Sequence, residues 1–275
     1  MGRGEQEGHH MSEAADLYVY AVVGDGDYRP TATGIDGAPL QVVDAPSGLR
    51  AVVHEHTAGP YEGPDDDVKR WILEHSDAVD DAWQQCGAVL PVSFNVIVHG
   101  DQEAGSTPAQ QLADWLETNT SLLGPRLEHL EGTTELRVEI SLDRAKHVAE
   151  DPEVLSLTAE MESRPAGVRR LLSKRLEKME KDLADRAADG LYPDLRTRLA
   201  QHCVDIEEYR RAARDPGLVP VLTAACLVRT AQTEGVGAEL TSIQQEHPSL
   251  SIRFLGPWPP YSFADMTATE GSMTA

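Results

Sequence analysis

Three histidines are the side chains whose type and spacing could do chemistry. His54 and His56 flank Glu55 at a strand end, and a spacing of two puts both imidazoles on one face, where they could ligate a metal ion if a third ligand came from elsewhere. The spacing names no third ligand, so no metal is expected, and exposed imidazoles at a strand end are the expected arrangement. His75 lies between Ile72 and Val79 on the apolar stripe of a helix. A general base there needs a neighbouring group and a substrate in reach. The pattern instead predicts a buried ring with one satisfied hydrogen bond that holds the helix to a sheet. Cys86, Cys203 and Cys226 are odd in number and far apart, which fits neither a disulfide framework nor paired zinc ligands. Gly235-Val236-Gly237-Ala238-Glu239-Leu240 lacks the third glycine of a dinucleotide loop, and Gly24-Asp25-Gly26-Asp27 lacks the closing Glu of a calcium loop. No catalytic residue and no cofactor is expected.

The elements that must position these residues are legible as periodicities. Leu17 to Val23 has strand composition, and Leu40 to Asp44 and Leu49 to His54, split by Pro46-Ser47-Gly48, form a hairpin signal. Asp65-Asp66-Asp67 opens a helix carrying Val68, Ile72, His75, Val79 and Ala82 on one face. A strand is predicted from Val89 to Val98, begun by Pro91, and one or two helices from Gln110 to Glu131, broken at Gly124-Pro125. A second unit then opens with Leu136, Val138 and Ile140 alternating with Arg137, Glu139 and Ser141, a strand with one wet face. A long helix runs from Pro165 to about Ala188; strands follow near Cys203 to Tyr209 and Val219 to Val228, then a helix from Gln232 to Glu246 and a strand from Leu250 to Leu255. The order β-α-β-β-α-β is that of the ferredoxin-like arrangement. Val219 to Val228 is apolar at both parities, so it is expected inside the sheet and covered on both faces. The expected architecture is α+β in two domains: a lead at 1–15, a mixed α/β domain at 16–132, a ferredoxin-like domain at 133–263 and a tail at 264–275.

Two segments stand out as surfaces. Between Arg169 and Arg186 the long helix carries seven cations, Arg169, Arg170, Lys174, Arg175, Lys178, Lys181 and Arg186, against four acids. That is either a solvated face of weak pairs or a docking face for an acidic partner. Gly256-Pro257-Trp258-Pro259-Pro260-Tyr261-Ser262-Phe263 is a rigid strap, because Pro257, Pro259 and Pro260 fix the backbone while Trp258, Tyr261 and Phe263 each offer a large apolar area. It reads equally as a clamp over the sheet and as a presented hot spot.

The 275 residues include 24 basic and 46 acidic side chains, a net charge of −22. Such a surface argues against nucleic acid, and no apolar run is long enough for a membrane helix, so a cytoplasmic protein is expected. The 5 Lys against 19 Arg, with acids evenly scattered, is a halophilic pattern: the self-repulsion is screened at molar salt, where the Debye length falls to about 3 Å.

The strap resembles the C-terminal signature of the gas vesicle protein F and L family, GvpF/GvpL. Leu17-Tyr18-Val19-Tyr20-Ala21-Val22-Val23, Ala51-Val52-Val53, His75 and Leu90-Pro91-Val92-Ser93-Phe94 join it in the family's order, so the resemblance runs from about Leu17 to Phe263. Ser93 stands where family members usually have Arg, and Asn95 where they usually have Gly. Length and acidity make the chain similar to the L-type proteins of haloarchaea. The resemblance implies a non-enzymatic accessory of gas vesicle formation that contacts the small hydrophobic shell protein (GvpA-like) and other accessory proteins, with a modified ferredoxin-like C-terminal domain. Partner contacts are then expected from Trp258, Tyr261, Phe263, Arg169, Arg170, Lys174 and Arg175, and structural roles from His75, Pro91, Phe94, Pro257, Pro259 and Pro260. The competing class is an enzyme or small-ligand module on the same fold.

Overall fold

The computed structural model describes residues 15–101, 103–209 and 215–264. The expected lead and tail lie outside the described residues apart from Ala15 and Ala264; Ala264 is buried at the end of a helical turn. Two compact units result, one of residues 15–131 with Ala264 and one of Gly132–Phe263. Each is built on an antiparallel sheet.

The first unit holds β1 (Asp16–Val23), β2 (Gln41–Asp44), β3 (Arg50–His56), β4 (Leu90–Pro91) and β5 (Ile97–Val98), ordered β2-β3-β1-β4 with β5 also on β1. β1 is paired on both sides and buried almost throughout, which suits its β-branched and aromatic run. Its register with β3 passes from Val19–Val53 to Ala21–Val52, so a bulge at Tyr20 breaks the strict alternation. Tyr18, Tyr20, Ala21 and Val23 therefore all join one core cluster.

Helix α1 (Asp65–Cys86) ends at Gly87 in the left-handed conformation, φ 73°. It buries His75, Ala78, Val79 and Ala82. Ile72, expected on that face, is 43% exposed. Trp71 packs inward instead, against Tyr61 with ring centroids 5.1 Å apart, and its indole N–H donates to Asp36 at 3.2 Å. The larger ring buries more apolar area and still satisfies its donor.

The strand expected from Val89 to Val98 is two short ones, β4 and β5, separated by a turn in which Asn95 has φ 71°. Pro91 has no N–H for a ladder, and a left-handed residue turns the chain out of it. Helices α2 (Pro108–Thr118) and α3 (Thr120–Leu130) follow. The break falls at Asn119, whose side chain donates to the Trp115 carbonyl at 2.8 Å, rather than at Gly124-Pro125. Pro125 stays inside α3. A proline there costs about 3 kcal/mol, and burial of Leu123, Leu127 and Leu130 on one face, at roughly 2 kcal/mol each, outweighs it.

In the second unit β6 (Thr133–Asp143), β7 (Asp205–Glu208), β8 (Leu218–Arg229) and β9 (Leu250–Trp258) form a sheet ordered β7-β8-β6-β9, with every neighbour antiparallel. Helices α4 (Arg144–Val148), α5 (Pro152–Glu162), α6 (Ala166–Ala200) and α7 (Thr233–Glu246) complete it with the first three residues of α8 (Tyr261–Ala264). Leu136, Val138 and Ile140 meet Ala184, Leu195 and Leu199 of α6 and Val236, Leu240 and Ile243 of α7 in one core. Helix α6 continues past its expected end near Ala188 and runs through Pro193. Leu195 and Leu199, both fully buried, lie in that extension and offset the proline. On the opposite face Ala225 and Leu227 of β8 are also fully buried, and the "wet" row of β6 is only half exposed.

Candidate partner interface

The strap is not a free extended segment. β9 continues through Leu255 to Trp258, and its register with β6 steps from Arg137–Leu255 to Glu135–Trp258, so an extra β9 residue is accommodated at Gly256-Pro257. Gly256 adopts φ 119°, and a Cβ there would lie 2.8 Å from the Glu135 carbonyl oxygen. Only glycine fits. Trp258 then lies over the Arg137 guanidinium, 5.6 Å from ring centroid to Cζ, and its carbonyl accepts from Thr134 Oγ1 at 3.0 Å. Pro259 and Pro260 are buried, Tyr261 to Ala264 turn into α8 rather than staying extended, and Tyr261 is 37% exposed.

A buried carboxylate anchors this turn. Glu135 is 1% exposed and accepts from Ser262 N at 2.7 Å, Ser262 Oγ at 2.9 Å and Arg137 Nε at 3.0 Å. Three donors, one of them charged, compensate its desolvation. Glu135 shares the parity of Arg137 and Glu139, and the alternation carries no sign of an anchor whose main partner lies 127 positions away.

The basic stretch occupies the first half of α6. Residues 166–183 include no buried side chain, and Arg169, Arg170, Lys174, Arg175, Lys178 and Lys181 are all exposed. The second half is held: Arg198 grips Glu246 through two bonds of 2.7 and 3.0 Å and Glu239 at 2.6 Å, tying α6 to α7. Trp258 shares the Glu135–Arg137 row of the sheet, whereas α6 packs on the Leu136–Val138 row. The strap and the buried half of α6 thus lie on opposite faces of the sheet.

The histidines are placed otherwise than expected. His54 and His56 are 2% and 6% exposed, not surface groups. They lie in an aromatic cluster with Tyr18, Tyr20, Tyr61, His75 and Phe94 because β3 is an interior strand whose end is covered by the segment carrying Tyr61. Tyr20 OH and His54 Nδ1 are 2.8 Å apart, and Tyr20 OH accepts from Ile35 N at 2.8 Å. His75 Nε2 donates to the Val92 carbonyl at 3.1 Å, so Nδ1 accepts from Tyr18 OH at 3.0 Å, while Tyr18 OH accepts from Asn95 N at 3.0 Å. His75 thereby links α1 to β1 and to the chain after Pro91. Burial lowers the His54 pKa to about 4, with His56 adding to the effect, and burial lowers that of His75 to about 4 against the Val92 bond. Burial also pushes the Tyr20 hydroxyl well above its ordinary range. Phe94 is half-buried against the same rings and Pro91 is buried in β4. Among the described residues no three His, Cys, Asp or Glu side chains are grouped to hold a metal. No helix among them is long and apolar enough to cross a membrane.

The chain is a mixed α+β protein of two antiparallel sheets, a fold it shares with two solved structures. It is similar to the gas vesicle protein GvpF of Anabaena sp. PCC7120 at 19% identity and TM-score 0.65, covering 92% of this chain and 97% of that one. It is also similar to GvpF of Microcystis aeruginosa at 16% identity and TM-score 0.63, covering 91% and 99%. The sequence profile of the family described as "Gas vesicle synthesis protein GvpL/GvpF" matches residues 16–265, and the chain belongs to that family. Curated relatives include gas vesicle protein L2 of Halobacterium salinarum, 30% identical over 92% of each chain. Gas vesicle protein L of Haloferax mediterranei is 28% identical, over 85% of this chain and 73% of its own. The family membership carries a role in gas vesicle formation.

Proposed function

We propose that the chain is a non-enzymatic accessory of gas vesicle assembly that works in the cytoplasm and at the forming vesicle. It binds the shell protein and other accessory proteins. The observation that carries this reading is the family match across residues 16–265, which takes in both sheets and the strap. A shell subunit on its way to a water-excluding wall passes through a soluble stage with apolar surface exposed, and an accessory that covers it limits aggregation. Trp258 and Tyr261, held at one end by the Glu135 anchor, and the cations of α6 supply two surfaces for such contacts. The order β7-β8-β6-β9 supports describing the second unit as a modified ferredoxin-like domain.

Affinity capture of the tagged chain from vesicle-forming halophilic cells, in multimolar salt, tests the reading. Shell protein and accessories are expected in the bound fraction, reduced in a Trp258→Ala/Tyr261→Ala variant. Nothing above a control would overturn it; unchanged capture with a lower melting point would return the strap to the core.

A further inference from the structure

The cations in the first half of α6 differ from several others of this chain. Lys69, Arg70, Lys146, Arg164, Arg196, Arg198 and Arg253 each hold a carboxylate. Arg169, Arg170, Lys174, Arg175, Lys178 and Lys181 make no ion pair among the described residues, although Glu177, Glu180 and Asp182 share their helix. In a chain of net charge −22 an unpaired run of cations is an unusual arrangement. At 100° per residue Arg170, Lys174, Lys178 and Lys181 fall on one stripe, opposite the Leu172–Leu176–Met179–Leu183 side. Leu171, 73% exposed, borders this stripe, and Leu155 of the adjoining α5 is 54% exposed.

We propose that this face of α6 docks an acidic, amphipathic α-helix of a protein partner. Charge complementarity selects the partner's sign. Cations at steps of three and four residues, with Cβ atoms about 5–6 Å apart, match acids at the same spacing on a facing helix. The apolar border decides the conditions. At molar salt the Debye length is about 3 Å, and a purely ionic contact is largely screened, so Leu171 supplies the part of the binding that salt does not weaken. The proposal deepens the assembly reading by naming the chemistry of one partner, and rests on that reading for its biological setting.

The test uses the full chain in 2 M KCl (roughly molar, to match the screening regime) and a labelled synthetic peptide with a Glu stripe and a Leu stripe at helical spacing. Controls are a scrambled peptide of equal composition and a DNA duplex. Fluorescence anisotropy is expected to show binding of the helical peptide alone, weakened about tenfold or more by Arg170→Gln/Lys174→Gln/Lys178→Gln/Lys181→Gln and also by Leu171→Ala. These exposed positions carry no internal ion pair, so circular dichroism melting is expected to be unchanged. Equal binding of the scrambled peptide, preference for DNA, or indifference to the substitutions would each overturn the proposal. Deletion and replacement in vesicle-forming cells separate the two levels. Vesicles lost on deletion but fully restored by the four-Gln variant would sink the docking face and leave the assembly role intact. Vesicles that form normally without the chain would sink the assembly role itself.

Discussion

Asn95 occupies a left-handed position, φ 71°. Asparagine is among the few other residues that tolerate this region. Here its side chain also accepts from Tyr61 N at 2.8 Å and donates to the Tyr61 carbonyl at 3.2 Å, a tie across the aromatic cluster. Asn95→Ala is expected to cost about 1–2 kcal/mol, from the disfavoured backbone and two lost bonds, and Asn95→Gly less, as read by melting temperature at molar KCl. The buried imidazoles make a second prediction. Their folded pKa values, about 4, lie below the ordinary 6.5, so the folded chain holds fewer protons than the unfolded one between those limits. Stability is therefore full above pH 6.5 and falls as the pH drops toward 4, by about 2 kcal/mol per imidazole between pH 6.5 and 5. His75→Gln should flatten roughly half of this slope, and an unchanged slope would show that other groups set it.

Among the elements, β9 and α6 each join a fixed part to a presented one. In β9 the extra residue at Gly256-Pro257 lets Trp258 reach Arg137 and brings Ser262 to Glu135. Glu135→Ala should lose about 2–3 kcal/mol, because Ser262 and Arg137 would be left without their buried acceptor. Gly256→Ala should cost a comparable amount, because its Cβ would meet backbone rather than a movable side-chain end. Thermal melts of both variants check this, and a melt like that of the parent chain would show that the strap is not anchored here. In α6 the Arg198 grip on α7 and the buried Leu195 and Leu199 hold the C-terminal half while the N-terminal half stays exposed. Neither arrangement was visible in periodicity. The periodicity ends the long helix near Ala188, and the strap reads as a separate extended segment, because local propensity carries no information on what packs across the sheet.

For the whole molecule the governing quantity is the charge of −22. The fold should loosen below roughly molar KCl, where self-repulsion is no longer short-ranged; circular dichroism unchanged down to low salt would refute this. Composition, the alternation of β6, the doubly apolar β8 and the strap motif were enough to read α+β chemistry, the order of the second unit's elements and the gas vesicle family, because each depends on residue type or short spacing. The burial of His54 and His56, the break at Asn119 and the Glu135 anchor were decided only by tertiary structure. Each depends on what distant residues do: Tyr61 and Tyr20 enclose the histidines, the buried face of Leu123, Leu127 and Leu130 overrides Pro125, and Ser262 supplies donors to a carboxylate that parity alone assigns to water. Burial and hydrogen-bond satisfaction are properties of the assembled chain, and they determine which of the polar residues in a sequence face solvent.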